Sequence, residues 1–295
     1  MSVLDCPVCG ATIDQVALRC KDHSVSNETF DICTCAQCLY AVTVPQPLPA
    51  EIGKYYITEE YVSHSDTKKG IINKLYHQVR KRNTNNKLKQ ANRFSHQRGQ
   101  LLDMGCGTGY FLSVCKQSGW KVEGVEVSDI ARSRAEQRIG QFIYPTLDAL
   151  QAEGKTFDVI TLWHVFEHLY DINASLIQLK QLLKPEGVLI LALPNYASFD
   201  AQYYKEYWAA YDVPRHLSHF QPETIKQLSQ KHGMKVNTEL PMYFDAYYIS
   251  MLSEELKGKG KFAALLNGFI CGLRSNCKAG KSGNYSSVIY IVEPV

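Results

Sequence analysis

From residue 100 onward, apolar positions gather into short runs separated by segments of helical period. QLLDMG, KVEGVEVS, QFIYPTL, FDVITLWHV and VLILALPN read as strands, and YFLSVCKQSG, DIARSRAEQRIG and NASLIQLKQLLKPEG as the helices among them. Apolar strands alternating with helices predict a parallel sheet covered on both faces. After Asn195 the alternation breaks at SFDAQYYKEYWAAYDVPRHLSHF, then resumes with PETIKQLSQKHG as a helix and MKVNTEL as a strand. A second insertion, about 243–284, precedes a last strand, SSVIYIVEPV. Upstream, Ile71, Ile72, Leu75, Tyr76 and Val79 recur at helical spacing. Residues 66–98 carry ten Lys or Arg against one acid, Asp66, which predicts an amphipathic helix with a basic outer face.

Length and composition narrow the picture modestly. The 295 residues, 45% of them hydrophobic, suffice for one large domain with appendages or for two domains. A formal charge of +3 implies no general affinity for nucleic acid, so such a case must rest on the local basic segment. The start, MSVLDCPVCG, lacks the pattern of a secretory signal, and no apolar stretch is long enough to span a bilayer. A cytoplasmic location is expected. Six of the ten cysteines fall within the first 38 residues, and in a reducing compartment such clustering suggests metal before disulfides. The proline-punctuated VPQPLPAE at 44–51 sets a domain boundary near residue 45.

LLDMGCGTGYF, residues 101–111, places a strand end at Asp103, three glycines at Gly105, Gly107 and Gly109, and a helix start at Tyr110 or Phe111. Glycines at such a turn admit positive φ and let backbone amides approach a ligand that a Cβ would repel. The next strand ends in Glu126, about 20 residues on, where a carboxylate grips ribose hydroxyls. The spacing is G-x-G-x-G with Tyr110 where a phosphate-binding loop would carry its third glycine, which suits a nucleoside without a phosphate.

This run, together with GVEVS, FDVITLWHVFEHL and LLKPEGVLILALPN, resembles the class I S-adenosylmethionine-dependent methyltransferases over roughly residues 65–295. The resemblance implies an α/β, Rossmann-like, seven-stranded doubly wound sheet. It assigns S-adenosyl-L-methionine to Asp103, Gly105, Cys106, Gly107, Gly109, Tyr110, Phe111, Glu126 and Val127, with Thr146 and Leu147 at the adenine and Trp163 and His164 at the methyl end. Residues 99–295 are then the methyltransferase domain, with insertions near 196–220 and 243–284, and 46–98 a linker and capping helix.

Catalytic candidates lie on the rim. In WHVFEHL, Trp163 and His164 face cofactor and acceptor, while Glu167 and His168 follow on one side of a helical turn. His168 is expected to hold the fold. The aromatic insertion adds Arg215, His216 and His219 to a lid or acceptor wall. His216 or His219 would serve as base for a hydroxyl or acidic carbon, Arg215 would neutralise an anionic acceptor, and His164 stands beside them as a catalytic candidate.

Cys6, Cys9, Cys35 and Cys38 form two C-x-x-C pairs able to close a tetrahedral structural zinc, with Cys33 a competitor for Cys35 and Cys20 left over. CPVCG followed by FDICTCAQC and YYITEEY resembles the zinc ribbon found on some sugar C-methyltransferases, which places Tyr56 and Tyr61 near the cofactor mouth. The expected function is methyl transfer to a small sugar-, quinone- or lipid-like acceptor. Two alternatives stand beside it: an RNA methyltransferase that uses ribbon and basic helix to hold RNA, and a non-catalytic cofactor-binding protein. WHVFEH differs from the motif that clamps a base amine, which weighs against RNA. For the apolar stretch 262–273, a dimer surface, a membrane contact and an acceptor wall are open, and core packing is preferred.

Overall fold

The computed structural model describes residues 4–56, 71–95 and 98–295, with side chains in the first helix from residue 82 onward. Tyr61 and the apolar side chains predicted at 71, 72, 75, 76 and 79 lie outside the described residues.

The central sheet holds six strands: β6 Gln100–Met104, β7 Lys121–Val125, β8 Phe157–Trp163, β9 Leu183–Pro194, β11 Met234–Pro241 and β12 Ser287–Pro294, in the order β11-β12-β9-β8-β6-β7. Leu101, Leu102, Val159, Ile160, Leu162 and Leu189 are fully buried, as strands covered on both faces require. The α/β Rossmann-like architecture is therefore present, with two departures from expectation. QFIYPTL contributes one parallel bridge, Tyr144 to Val125, in place of a seventh strand. Pro145 has no N–H for a ladder, and Thr146 instead caps helix α4 Leu147–Gln151 by accepting from Ala149 N–H.

The second departure is direction. β6, β7, β8 and β9 are parallel, but β12 runs antiparallel to both β9 and β11. Helices α8 Tyr243–Leu256 and α9 Lys261–Ser282 form a hairpin that returns the chain to the end of the sheet where β11 left it. The helix before β9, α5 Ile172–Leu182, also stops five residues earlier than its sequence pattern predicts, since Pro185 cannot continue it.

Of the N-terminal strands, the short β1 Leu4–Asp5 and β2 Thr12–Ile13 pair with each other, and the others do not close on themselves. β3 Gln15–Lys21, β4 Thr29–Thr34 and β5 Ala41–Val44 build an antiparallel sheet whose fourth strand, β10 Ser218–His219, comes from the aromatic insertion. Tyr40 and Phe220 pack in one cluster with Phe166 and Leu193, so ribbon and central sheet share a core. The insertion expected to be a lid is largely interior: Trp208, Tyr211 and Val213 are buried with Ile32, Phe30 and Tyr55. Asp200, wholly buried, anchors it by accepting from Trp208 Nε1 (2.8 Å), Ser275 Oγ (2.6 Å) and Ser286 Oγ (2.6 Å).

Candidate active site and metal centre

Three glycines at the β6 turn all adopt positive φ, 69°, 54° and 76° at Gly105, Gly107 and Gly109. Their surroundings differ. A Cβ on Gly105 would lie 2.5 Å from Val165 Cγ2, and one on Gly109 would lie 2.9 Å from Ile139 Cδ1. Those two are required by the protein's own packing. A Cβ on Gly107 would meet nothing within 4 Å, so the turn is open to a ligand there.

Glu126 borders the same opening. Its Oε2 accepts from Gly107 N–H (2.8 Å) and its Oε1 from Ser128 N–H (2.9 Å). Each carboxylate oxygen keeps a further lone pair, enough for two vicinal hydroxyls. Asp103, buried at the tip of β6, accepts from Thr161 Oγ1 at 2.6 Å. Burial raises its pKa to about 7, against the pull of Thr161 and Lys87. Cys106 and Phe111 are buried beneath the turn, Tyr110 lies under the Arg138 guanidinium, and Val127 is exposed. Leu147 is buried behind the helix cap at Thr146.

At the end of β8, Trp163 packs edge-on to Phe111, and its buried Nε1–H has no partner. Lys87, on helix α1 Ile71–Arg93, lies 4.8 Å over the Trp163 ring. Burial lowers its pKa, while Asp103 and Asp245 pull it back up. The basic segment thus turns one lysine inward, a contribution that its composition alone hid among nine other cations.

His164 carries φ 58°, a strained value for a residue with a side chain. Its Nε2 is 3.2 Å from Asp245 Oδ2 and its Nδ1 3.4 Å from Glu167 Oε1. Burial works against the charged form, yet Asp245 and Glu167 outweigh it and raise the pKa to about 9. Asp245 lies in the first turn of α8, inside the second insertion, and no motif pointed to it. Glu167 is 1% exposed and has no hydrogen bond to either oxygen; burial raises its pKa, but His164 and His216 win and hold it low.

The remaining rim candidates are tied into the ribbon joint. Arg215 gives Nε and Nη2 to Asp212 and Nη1 to the Tyr55 carbonyl, so its guanidinium already has an anionic partner. His216 donates Nδ1–H to Ala210 O (2.9 Å), and burial, then His168, lowers its pKa to about 4. Thr43 uses its hydroxyl proton on His216 O (2.6 Å), so at 2.9 Å it must accept from His219 Nε2–H. Burial lowers His219 to about 3. His168 donates Nδ1–H to Arg215 O (2.8 Å), the fold-holding role expected of it, with the Tyr56 hydroxyl 3.1 Å away.

Cys6, Cys9, Cys35 and Cys38 bring their sulfurs within 4.8 Å of one another, with Cys6 to Cys38 at 3.3 Å and Cys9 to Cys35 at 3.5 Å. Four thiols at these separations fit one tetrahedral Zn²⁺. Burial opposes ionisation at Cys35, but the amides of Cys38 and Gln37 lower it to about 7; burial raises Cys6. Cys33 and Cys20 are buried in β4 and β3, apart from the four-sulfur group.

Comparison with known proteins agrees with this geometry. A ubiquinone biosynthesis O-methyltransferase from Bartonella tribocorum is 27% identical over 159 residues, 50% of this chain and 64% of that protein. A malonyl-[acyl-carrier protein] O-methyltransferase from Serratia marcescens is 28% identical over 173 residues, 56% of this chain and 65% of its own length. The chain thus spans just under two thirds of these curated relatives. The solved magnesium protoporphyrin IX methyltransferase from Synechocystis PCC 6803 with bound SAH shares the fold, with a TM-score of 0.52 at 15% identity over 83% of this chain and 99% of that one. The family described as a methyltransferase domain matches residues 75–239, more than half of the sequence, and the chain belongs to that family.

Proposed function

We propose that the protein transfers a methyl group from S-adenosyl-L-methionine to an oxygen of a small acceptor, sugar-, quinone- or lipid-like. The open space at Gly107, bordered by the spare lone pairs of Glu126, carries this reading. When bound, the cofactor supplies an electrophilic methyl group on a sulfonium. Glu126 would hold its ribose, Asp103 its amino end, and Trp163 its methyl end with the unpartnered Nε1–H.

His164 is protonated at neutral pH and sits on the rim between two carboxylates. Both of its ring nitrogens already face carboxylates, so it offers no base, and the acceptors this rim suits are carboxylates and acidic hydroxyls, which ionise without one. Arg215, His216 and His219 serve in this reading as positioning residues: they fix the ribbon against the segment that carries Glu167. The relatives named for ubiquinone and malonyl-carrier O-methylation fit an oxygen acceptor. We further propose the three-part division at about residues 45 and 98, a structural zinc in the first part, and a cytoplasmic, thiol-reducing setting for its cysteines.

The test is a calorimetric titration with S-adenosylhomocysteine, followed by transfer of labelled methyl to a panel of acidic phenols, carboxylates, sugars and amines. Binding with transfer to an oxygen acceptor is expected. No heat with the nucleoside, or transfer confined to amines, would sink the proposal.

A further inference from the structure

Helix α9 is built inside out. Its buried positions are Ala264, Gly268, Cys271, Gly272, Ser275 and Ala279. These small residues let it lie close against α8, where a Cβ on Gly268 would come within 2.5 Å of Met251 Cα and one on Gly272 within 2.7 Å of Tyr247 Cα. The large apolar residues point the other way. Phe262, Leu265, Leu266, Phe269, Ile270 and Leu273 are all exposed, Phe262 by 82%, and recur at the spacing of one helix face. The core packing expected for 262–273 therefore holds for its small residues and fails for its large ones. A soluble surface seldom leaves such a contiguous stripe open without an occupant.

Charge names the occupant. Residues 257–282 contain Lys257, Lys259, Lys261, Arg274, Lys278 and Lys281 and no Asp or Glu, and all six cations are exposed. Tyr247 of α8 stacks on Phe269 at 5.3 Å, and exposed Phe244 and Tyr248 extend the apolar face along α8. The basic helix α1 joins it there, with the Arg82 guanidinium 5.7 Å from the Phe244 ring. A second copy of this surface would oppose cations to cations. A sheet of anionic headgroups over acyl chains satisfies both features, apolar stripe inward and lysines at the headgroup level. No described helix is long and apolar enough to cross a membrane, so the contact is interfacial.

We propose that the α8–α9 hairpin docks the protein on an anionic lipid bilayer surface. The docking is independent of methyl transfer, because it is read as partition onto vesicles in the absence of cofactor. The full chain is sedimented with vesicles of phosphatidylcholine alone and of phosphatidylcholine with about one third phosphatidylglycerol. Binding to the anionic vesicles at least about tenfold tighter than to the neutral ones, weakened by salt, is expected. The double variants Phe262→Ser with Leu266→Ser, and Lys259→Glu with Lys261→Glu, should each lower it about tenfold. Their melting temperatures should stay unchanged, since these four side chains are solvent-exposed. No sedimentation, equal sedimentation with both vesicles, or a concentration-dependent dimer dissolved by the serine variant would overturn the proposal.

Discussion

The glycine turn and the ribbon joint are two ways of building with buried polar groups. At the turn, backbone from 103–109 and one carboxylate 19 residues along the chain make an opening whose hydrogen-bonding capacity is left partly free. At the joint, side chains from distant segments close on one another: Thr43 on His216 and His219, Tyr40 on Ser218, Arg215 on Asp212 and Tyr55. Histidines register the contrast. His164, in close contact with two carboxylates, is held charged; at His216 burial and the neighbouring His168 outweigh Asp212 and Glu167, each 3.9 Å away, and burial does the same at His219, so both stay neutral. Free acceptors at the turn mark the proposed ligand site, while at the joint Thr43, Tyr40 and Arg215 are spent on the fold.

The joint should be broken most severely at the cysteines. Cys35→Ser removes one of four thiolates, and structural zinc contributes on the order of 10 kcal/mol in small metal domains. Because Cys35, Tyr40, Phe220 and Leu193 belong to one core, loss of the proposed zinc should lower the melting temperature of the whole chain rather than loosen the first 45 residues alone. Metal content with a thermal scan checks this. A variant that melts like the parent, or in two separate steps, would show that ribbon and sheet are energetically independent.

This coupling also marks where the sequence stops being readable. Asp103, the three glycines and Glu126 were legible because strand, turn and next strand tip are adjacent in the chain, and backbone geometry alone relates them. The four cysteines were legible because C-x-x-C carries its own local geometry. Asp245 and the inward lysine at 87 were not, since each reaches His164 or Trp163 through long-range packing that no short spacing encodes. The aromatic insertion misled for the same reason: ionisable groups in a loop suggest a lid, yet β10 pairs with β5 across more than 170 residues and takes the loop into the interior.

At the turn, Gly107→Val should act on the ligand and leave the fold in place. The residue needs φ 54°, which costs a β-branched side chain roughly 1–2 kcal/mol, and the side chain would fill the open space. Affinity for S-adenosylhomocysteine should fall at least about a hundredfold, roughly 3 kcal/mol. Glu126→Gln should cost about tenfold, having lost the charge that assists its hydrogen bonds. Calorimetry measures both. A Gly107→Val protein that binds normally would transfer the ligand site elsewhere.

Opposite pH windows should separate the two kinds of histidine. His164 has its pKa raised from 6.5 to about 9, so its contribution to stability is complete below pH 6.5 and disappears as pH rises through 9. His216 and His219 have theirs depressed from 6.5 to about 4 and about 3, so they contribute above pH 6.5 and the contribution is lost as pH falls toward those values. His164→Gln should flatten the alkaline limb, by about 1 kcal/mol since a third of the side chain meets solvent. His216→Gln should flatten the acid limb. Urea melts of parent and variant across the range, compared as differences so that titrations common to both cancel, decide it; the reverse assignment would undo the contrast.

Lys87 offers the mildest and finest test. It lies over Trp163 and is attracted by Asp103 and Asp245, so it connects the basic helix to both the cofactor turn and the His164 cluster. Lys87→Met keeps the aliphatic stem and removes the charge. With the cation gone, Asp103 and Asp245 lose a partner, and a cation over an aromatic ring contributes about 0.5–1 kcal/mol where it meets solvent. Affinity for S-adenosylhomocysteine should then fall threefold to fivefold, about 0.6–1 kcal/mol. Melting temperature should fall by no more than about 2–4 °C, the size of that one contact in a chain of this length. If instead the variant loses stability and keeps its affinity, Lys87 belongs with the groups that hold the fold, and the boundary between the two regions must be moved to include the helix.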